Sequence, residues 1–78
     1  MTRISRTKAA ELIKSNTKNF FSATFIKENK ELRTFNCIFK KATDLGYFLV
    51  IVRKEGIKNL NIKTLVELKI NKTHYKIV

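Results

Sequence analysis

The feature that most constrains this fold is an alternation of apolar and polar side chains with a period of two, which begins after residue 19. Segments 20–26 (FFSATFI) and 32–39 (LRTFNCIF) both show it, and both are rich in aromatic and β-branched residues. Such alternation is typical of strands that bury one face. We therefore predict a β-hairpin whose turn lies at 27–31.

The apolar residues of this hairpin specify one register. When Ile26 lies opposite Leu32, Phe21 falls opposite Cys37 and the apolar side chains collect on one face. A slip of one residue would scatter them over both faces. The sequence therefore predicts this pairing and no other.

A short helix precedes the hairpin. The stretch 7–15 (TKAAELIKS) has helical spacing, with Thr7 as the expected N-cap and one apolar stripe of Ala9, Leu12 and Ile13. Because nine residues are marginal for an isolated helix, we expect it to pack on the sheet.

Three further strand segments follow the hairpin. Segment 47–54 (YFLVIVRK) is apolar in both phases, which predicts a strand covered on both faces. Segment 58–63 (KNLNIK) is expected to form a short strand or bridge. A last hairpin turns at 71–72 and places Glu67 opposite Lys76, which predicts an ion pair.

Together these segments predict a single domain over 1–78, with a helix at about 7–15 and a β-barrel over about 19–78. The expected fold is mainly β (α+β), a small antiparallel barrel of about five short strands with an N-terminal helix. The residues expected to face inward are Phe21, Ala23, Phe25, Phe35, Cys37, Val50, Leu65, Leu68 and Tyr75.

Two blocks of the chain, 24–37 (TFIKENKELRTFNC) and 59–77 (NLNIKTLVELKINKTHYKI), resemble the WYL-related, Sm-like SH3 β-barrel family of short phage and bacterial proteins. The matches in the first block are Thr24, Phe25, Ile26, Lys27, Leu32, Arg33, Asn36 and Cys37. Those in the second are Asn59, Asn61, Thr64, Leu65, Glu67, Leu68, Lys69, Ile70, Asn71 and Tyr75. The resemblance implies an SH3/Sm-like barrel and a phage context.

The chain departs from this family in two respects. Lys72 follows Asn71, and Asn29 or Lys30 lies in an earlier turn, where the family has glycine, so longer or strained loops are expected there. The Trp-Tyr-Leu signature of the better-known WYL domains is absent, since the chain has no Trp. Those domains are regulatory modules suggested to sense ligands or nucleic acid, and the resemblance implies no ligand site here.

Composition excludes several classes of protein. No apolar run reaches the ~18 residues of a membrane span, and the N-terminus lacks the apolar segment of a signal peptide. One cysteine (Cys37) and one histidine (His74) give neither a disulfide framework nor a metal site. We expect a protein without cofactor or metal in the cytoplasm, which is the host cytoplasm if a phage encodes it.

The sequence offers no catalytic constellation. Cys37 lies in the inward phase of its strand, which favours a buried, inert thiol. His74 lies beside the last turn, and the six acidic residues are scattered. We therefore expect that the protein binds and does not catalyse; it is not predicted to be an enzyme.

The formal net charge of +11 favours nucleic acid as the partner. RNA or single strands are expected ahead of duplex, because a small barrel lacks a recognition helix for the major groove and the chain has only four arginines. A second explanation stays open, because 13 of the 17 basic residues are Lys, and AT-rich coding favours Lys, Asn and Ile. Small barrels bind single strands through a basic groove and aromatic platforms. The candidate nucleic-acid-binding residues are Arg33, Lys40, Lys41, Arg53, Lys54 and Lys58.

The outer phase of the first hairpin supports an alternative function. Ser22, Thr24, Thr34 and Asn36 form an uncharged polar strip there, and its apolar neighbours are unusual for a solvated face. Either the helix packs there, or another protein does, such as a host or anti-phage defence protein that itself handles nucleic acid. Self-association through edge strands is a third alternative, since the chain has no proline to protect its edges. The candidate interface residues are Phe20, Ile26, Leu32, Thr34, Asn36 and Ile38.

Overall fold

A computed structural model describes residues 1–16, 18–43 and 46–78. The elements in chain order are β1 (Thr2–Ile4), α1 (Arg6–Ser15), β2 (Phe21–Ile26), β3 (Leu32–Ala42), β4 (Tyr47–Val52), β5 (Gly56–Asn61), the 3₁₀ turn Ile62–Thr64, β6 (Leu65–Ile70) and β7 (Thr73–Ile77). The strands form one mixed sheet in the order β1-β7-β6-β2-β3-β4-β5. The prediction of a mainly β fold with one helix is confirmed.

The sheet differs from the predicted barrel in strand number and in closure. It has seven strands where about five were predicted, and its order ends at β1 and β5 without closing. The five strands from β6 to β5 are antiparallel to their neighbours, as expected. Beyond them β7 pairs with β6, and β1 pairs parallel with β7, so the sheet is mixed. The sequence gives no sign of β1, because three residues are too few to display alternation.

The predicted hairpin registers are confirmed. Phe21 lies opposite Cys37 and Ile26 opposite Leu32. Of the nine residues expected to face inward, seven are buried, while Phe25 and Tyr75 are partly buried and pack against the core. The alternation of apolar residues therefore determined which face of the β2–β3 hairpin became the core.

Two expectations about the other strands are wrong. Glu67 lies opposite Lys76 as predicted, but within the described residues the only ion pair joins Arg33 to Glu55. In β4 every second residue is buried, whereas Ile51 on the other face is exposed. The strand is therefore covered on one face only, since the helix packs on the inner side of the sheet.

Three turns hold a lysine in the left-handed region of backbone space. These are Lys30 (φ 69°), Lys54 (φ 69°) and Lys72 (φ 67°), and Asn71 before the last of them has φ 51°. A side chain with a Cβ costs roughly 1 kcal/mol more than glycine in this conformation. The strain expected at the turns around residues 30 and 72 is present, and Lys54 adds a third instance.

Helix α1 begins one residue earlier than predicted. The Ser5 hydroxyl caps it by accepting a hydrogen bond from the Lys8 N–H at 3.1 Å, so the prediction that Thr7 caps the helix is wrong. Ser5 has the extended backbone that an N-cap requires. Ala9 and Ile13 are fully buried in the core, which confirms the predicted stripe. No helix of the described residues is long and apolar enough to cross a membrane.

Arg6 joins the first turn of α1 to the 3₁₀ turn. Its guanidinium donates hydrogen bonds to the carbonyl oxygens of Ile62 and, at 2.9 Å, of Leu65. The planar guanidinium presents several N–H donors, so one side chain can hold both carbonyls, and the Ile62 carbonyl also accepts the Leu65 N–H that closes the turn. Arg6 therefore fixes the point at which the chain passes from β5 to β6.

We predict that Arg6→Ala lowers the free energy of unfolding by about 1.5–3 kcal/mol, because charge-assisted hydrogen bonds to two half-buried carbonyls are lost. Urea denaturation measures this change. The control is Lys8→Ala, which removes an equal charge from an exposed position of α1 and should change stability by under about 0.5 kcal/mol. Equal losses in the two variants would contradict a specific role for Arg6.

Candidate functional site

Two rows of side chains cross the side of the sheet that faces away from the core. Residues directly opposite each other on neighbouring strands point to the same side of a sheet. The first row is Arg3, Lys76, Glu67, Thr24 and Thr34. The second row is His74, Lys69, Ser22, Asn36 and Arg53, the last joined by its N–H to the Asn36 carbonyl at 2.9 Å. We call these ten residues the polar face.

The polar face combines neutral hydrogen-bonding groups with cations. None of its residues is buried. Serine, threonine and asparagine side chains occupy its centre, where the Thr24 and Thr34 hydroxyls lie 2.8 Å apart in a mutual hydrogen bond. Four basic residues flank this centre, and Glu67 is the single carboxylate among the ten. The face therefore presents positive charge beside groups that both donate and accept hydrogen bonds.

The helix does not cover this face. The buried side of α1, with Ala9 and Ile13, belongs to the same core cluster as the inward residues of the sheet. The alternative in which the helix packs on the polar strip is therefore wrong. Within the described residues, the strip is open to an external partner.

An aromatic ring and a guanidinium are stacked at one border of the polar face. The Arg53 guanidinium carbon lies 4.7 Å from the centre of the Phe20 ring. The Phe20 side chain is nonetheless 44% exposed. An exposed ring beside a cation is an arrangement that can receive a further planar group.

Three of the six predicted nucleic-acid-binding residues meet around the turn between β4 and β5. Arg53 and Lys54 lie in that turn, and Arg33 on β3 reaches it by pairing with Glu55. The Arg33 guanidinium also lies 5.0 Å from the Phe35 ring centre. Arg33 is therefore engaged within the protein, whereas Lys54 is exposed.

The other three predicted residues lie elsewhere on the sheet. Lys40 and Lys41 occupy a β-bulge of β3, where Lys41 pairs with Leu49 of β4. Five residues of extended strand separate Lys41 from Asn36, a distance of about 16 Å. Lys58 is an exposed residue of the edge strand β5, opposite Val50. The predicted basic rim is therefore divided between separate parts of the molecule.

The predicted protein-interface residues continue into an apolar row that the sequence did not reveal. Ile26 and Leu32 are exposed and lie opposite each other at the end of the first hairpin, while Thr34 and Asn36 belong to the polar face. Ile38 pairs with Ile51, which pairs with Ile57 at the sheet edge, where Ile57 is 61% exposed. The row was missed because β4 was expected to be covered on both faces.

An open groove of about 520 Å³ borders the polar face. It lies between the turn that joins β2 to β3 and the end of β5. No single segment of the sequence indicates it, because it depends on the register between β4 and β5, which places Tyr47 opposite Asn61. The lining residues are Phe25, Ile26, Lys27, Glu28, Asn29, Tyr47, Asn59, Asn61 and Thr64.

Cys37 is fully buried, as its inward phase predicted. Burial disfavours the thiolate and raises the pKa of Cys37 to about 12. A nucleophilic cysteine needs the thiolate, so this thiol is not activated at neutral pH. Among the described residues no three metal-ligating side chains come together.

The raised pKa predicts a pH dependence of stability. The thiol of the unfolded chain ionises near pH 9 and that of the folded chain near pH 12, so above pH 9 the unfolded state binds fewer protons and stability falls with rising pH. We predict that wild type loses about 1 kcal/mol relative to Cys37→Ala between pH 9 and 10. Urea denaturation at both pH values measures this, and a constant difference would show that the thiol is not buried.

Comparison with protein-family models, with curated proteins and with solved structures gives no match for this chain.

Proposed function

We propose that this protein is a non-catalytic module that binds nucleic acid, RNA or single strands in preference to duplex, through the polar face. The observation that carries the proposal is this uncovered sheet face, whose central hydroxyl and amide groups lie between basic residues. The Arg53–Phe20 stack at its border adds an aromatic surface. The proposed contacts therefore include charge, hydrogen bonds and stacking.

Each part of the polar face has a matching group on a nucleic acid strand. Lys69, Lys76, Arg3 and Arg53 would neutralise phosphates and release their counterions. The central hydroxyl and amide groups are typical donors and acceptors for phosphate and sugar oxygens. Phe20 would stack on a base, which requires an unpaired base and so favours single strands over duplex.

The lysines in strained turns support a functional origin of the charge. At Lys30, Lys54 and Lys72 glycine would be less costly than lysine, because φ is positive at all three. Coding bias alone would place lysine most readily where it costs nothing, on exposed strand and helix positions. Lysine at these three turns is therefore better explained if its positive charge contributes to binding a partner.

We also propose that the chain is related to the WYL-related, Sm-like SH3 β-barrel proteins of phages and bacteria. Support comes from the two sequence blocks and from the five consecutive antiparallel strands β6-β2-β3-β4-β5 that follow one short helix. In this interpretation β7 belongs to the second sequence block, and β1 is an addition at the edge of a barrel-like sheet. The phage context of the proposal comes from the resemblance alone.

The proposal predicts a steep dependence of affinity on salt. Four phosphate contacts on a single strand give a log–log slope of about −2.8, so a fourfold rise in salt should weaken binding about 50-fold. Replacing Arg53 and Lys69 together with Gln should flatten the slope by about 1.4 units, because two contacts are lost. Fluorescence anisotropy with a labelled single-stranded decamer measures both quantities.

Two variants with the same loss of charge serve as controls. Lys8→Gln with Lys18→Gln removes two exposed cations outside the polar face, and should leave the slope nearly unchanged. Lys40→Gln with Lys41→Gln tests the bulge of β3 separately. Equal flattening in all three double variants would indicate non-specific attraction to net charge. Failure to bind any single-stranded or duplex oligonucleotide at ~50 mM salt would contradict the proposal outright.

A second candidate function is favoured by the apolar row Ile38–Ile51–Ile57, which ends at β5, the strand whose outer edge pairs with no other strand of the described residues. Exposed apolar side chains beside an unpaired strand edge are typical of protein contacts. The partner proposed for it is a host or anti-phage defence protein. Loss of partner binding on Ile57→Asp, with salt acting mainly on the association rate, would favour this function over nucleic acid.

A further inference from the structure

The groove beside the polar face has the chemistry of a site for one flat, uncharged ring. Its volume of about 520 Å³ falls within the range of small-ligand sites, roughly 300–1,000 Å³. Although the chain carries a net charge of +11, the groove contains one cation, Lys27, and one carboxylate, Glu28. Its near-neutral lining does not suit a phosphate.

An aromatic ring held on a fixed backbone forms one wall of the groove. Tyr47 is the first residue of β4, and its side chain is 38% exposed. The Thr43 N–H and hydroxyl donate to the Tyr47 carbonyl at 2.8 and 2.9 Å, and the Tyr47 N–H donates to that hydroxyl at 3.2 Å. This backbone anchoring limits the entropy lost when a ligand stacks on the ring.

Two amide side chains lie on the same side of the sheet as Tyr47. Asn61 lies directly opposite Tyr47. Asn59 precedes Asn61 by two residues and therefore lies on the same face of β5. The Asn61 Oδ1 accepts a hydrogen bond from the Lys63 N–H at 2.9 Å, which fixes the amide and leaves its NH₂ group as a donor. Asn59 offers both a donor and an acceptor, the combination that reads a base edge.

The groove is continuous with the polar face. Ile26 lines the groove and is two residues from Thr24 on the same face of β2, about 7 Å away. A strand bound along the polar face therefore has one nucleotide within reach of Tyr47. A neutral ring site next to a cationic face favours a nucleobase over a peptide side chain.

We propose that the groove binds one unpaired nucleobase of the strand held by the polar face, with stacking on Tyr47 and hydrogen bonds from Asn59 and Asn61. This inference rests on the proposed nucleic-acid function and adds a base-reading subsite to it.

The test compares two labelled probes of equal charge at ~50 mM salt, a single-stranded decamer and an abasic decamer with the same phosphates. Wild type should bind the decamer more tightly than the abasic strand. Tyr47→Ala should weaken decamer binding about 5- to 150-fold and leave abasic binding unchanged, because one stacking contact is lost. Tyr47→Phe should retain the affinity. Asn59→Ala, at an exposed strand position, is a second variant that should reduce discrimination among bases.

Four other results would contradict either the base subsite or the proposed function. Equal affinity of wild type and Tyr47→Ala for the decamer would overturn the base subsite and leave the proposed function standing. Equal weakening of both probes by Tyr47→Ala would also overturn it, since the ring would then act on the fold. Binding of neither probe by wild type would overturn the proposed function itself. Tyr47-dependent binding of an uncharged decapeptide, without a Tyr47 effect on the decamer, would assign the groove to a peptide.

Discussion

The pairing of β2 with β3 is the interaction on which the rest of the structure depends. It places Phe21 opposite Cys37 on the core side, and Ser22 opposite Asn36 on the outer side. Because side chains alternate along a strand, a slip of one residue would exchange the two faces. β2 also pairs with β6, so the same register fixes which β6 residues face outward. The core and the polar face are thus two results of one pairing.

The three arginines that make side-chain contacts and the lysines have different roles. Arg6 binds two backbone carbonyls, Arg33 pairs with Glu55, and Arg53 stacks on Phe20. Each contact uses the flat guanidinium, which lysine cannot replace. All the lysines are exposed, including those in strained turns. Two of the four cations proposed to contact phosphates are the lysines Lys69 and Lys76, and lysine suits phosphate neutralisation better than base reading. On this account, base reading falls to neutral groups such as Tyr47 and Asn59.

Periodicity predicted the parts of the fold that depend on local patterns. It gave the hairpin at 20–39, the apolar stripe of α1 and the burial of Cys37, because each needs only the chain itself and one neighbouring strand. It could not predict β1, since a three-residue strand shows no period. It also misjudged β4, whose apolar outer face looks buried in sequence although nothing described covers it. Only the part of the candidate site that depends on one strand pairing could be predicted. The polar strip follows from the β2–β3 register, whereas the groove requires strands β4 and β5 to be placed against a distant turn.

The proposed function requires that one open sheet face binds a nucleic acid strand. Two-dimensional NMR of the isotope-labelled protein, titrated with a single-stranded decamer at ~50 mM salt, tests it most directly. We predict that the amide signals that shift are those of the polar face, with Ser22, Asn36, Lys69 and Arg53 among them, while the exposed side of α1 at Lys8 and Glu11 stays unchanged. Shifts confined to α1, or spread evenly over all exposed lysines, would contradict it.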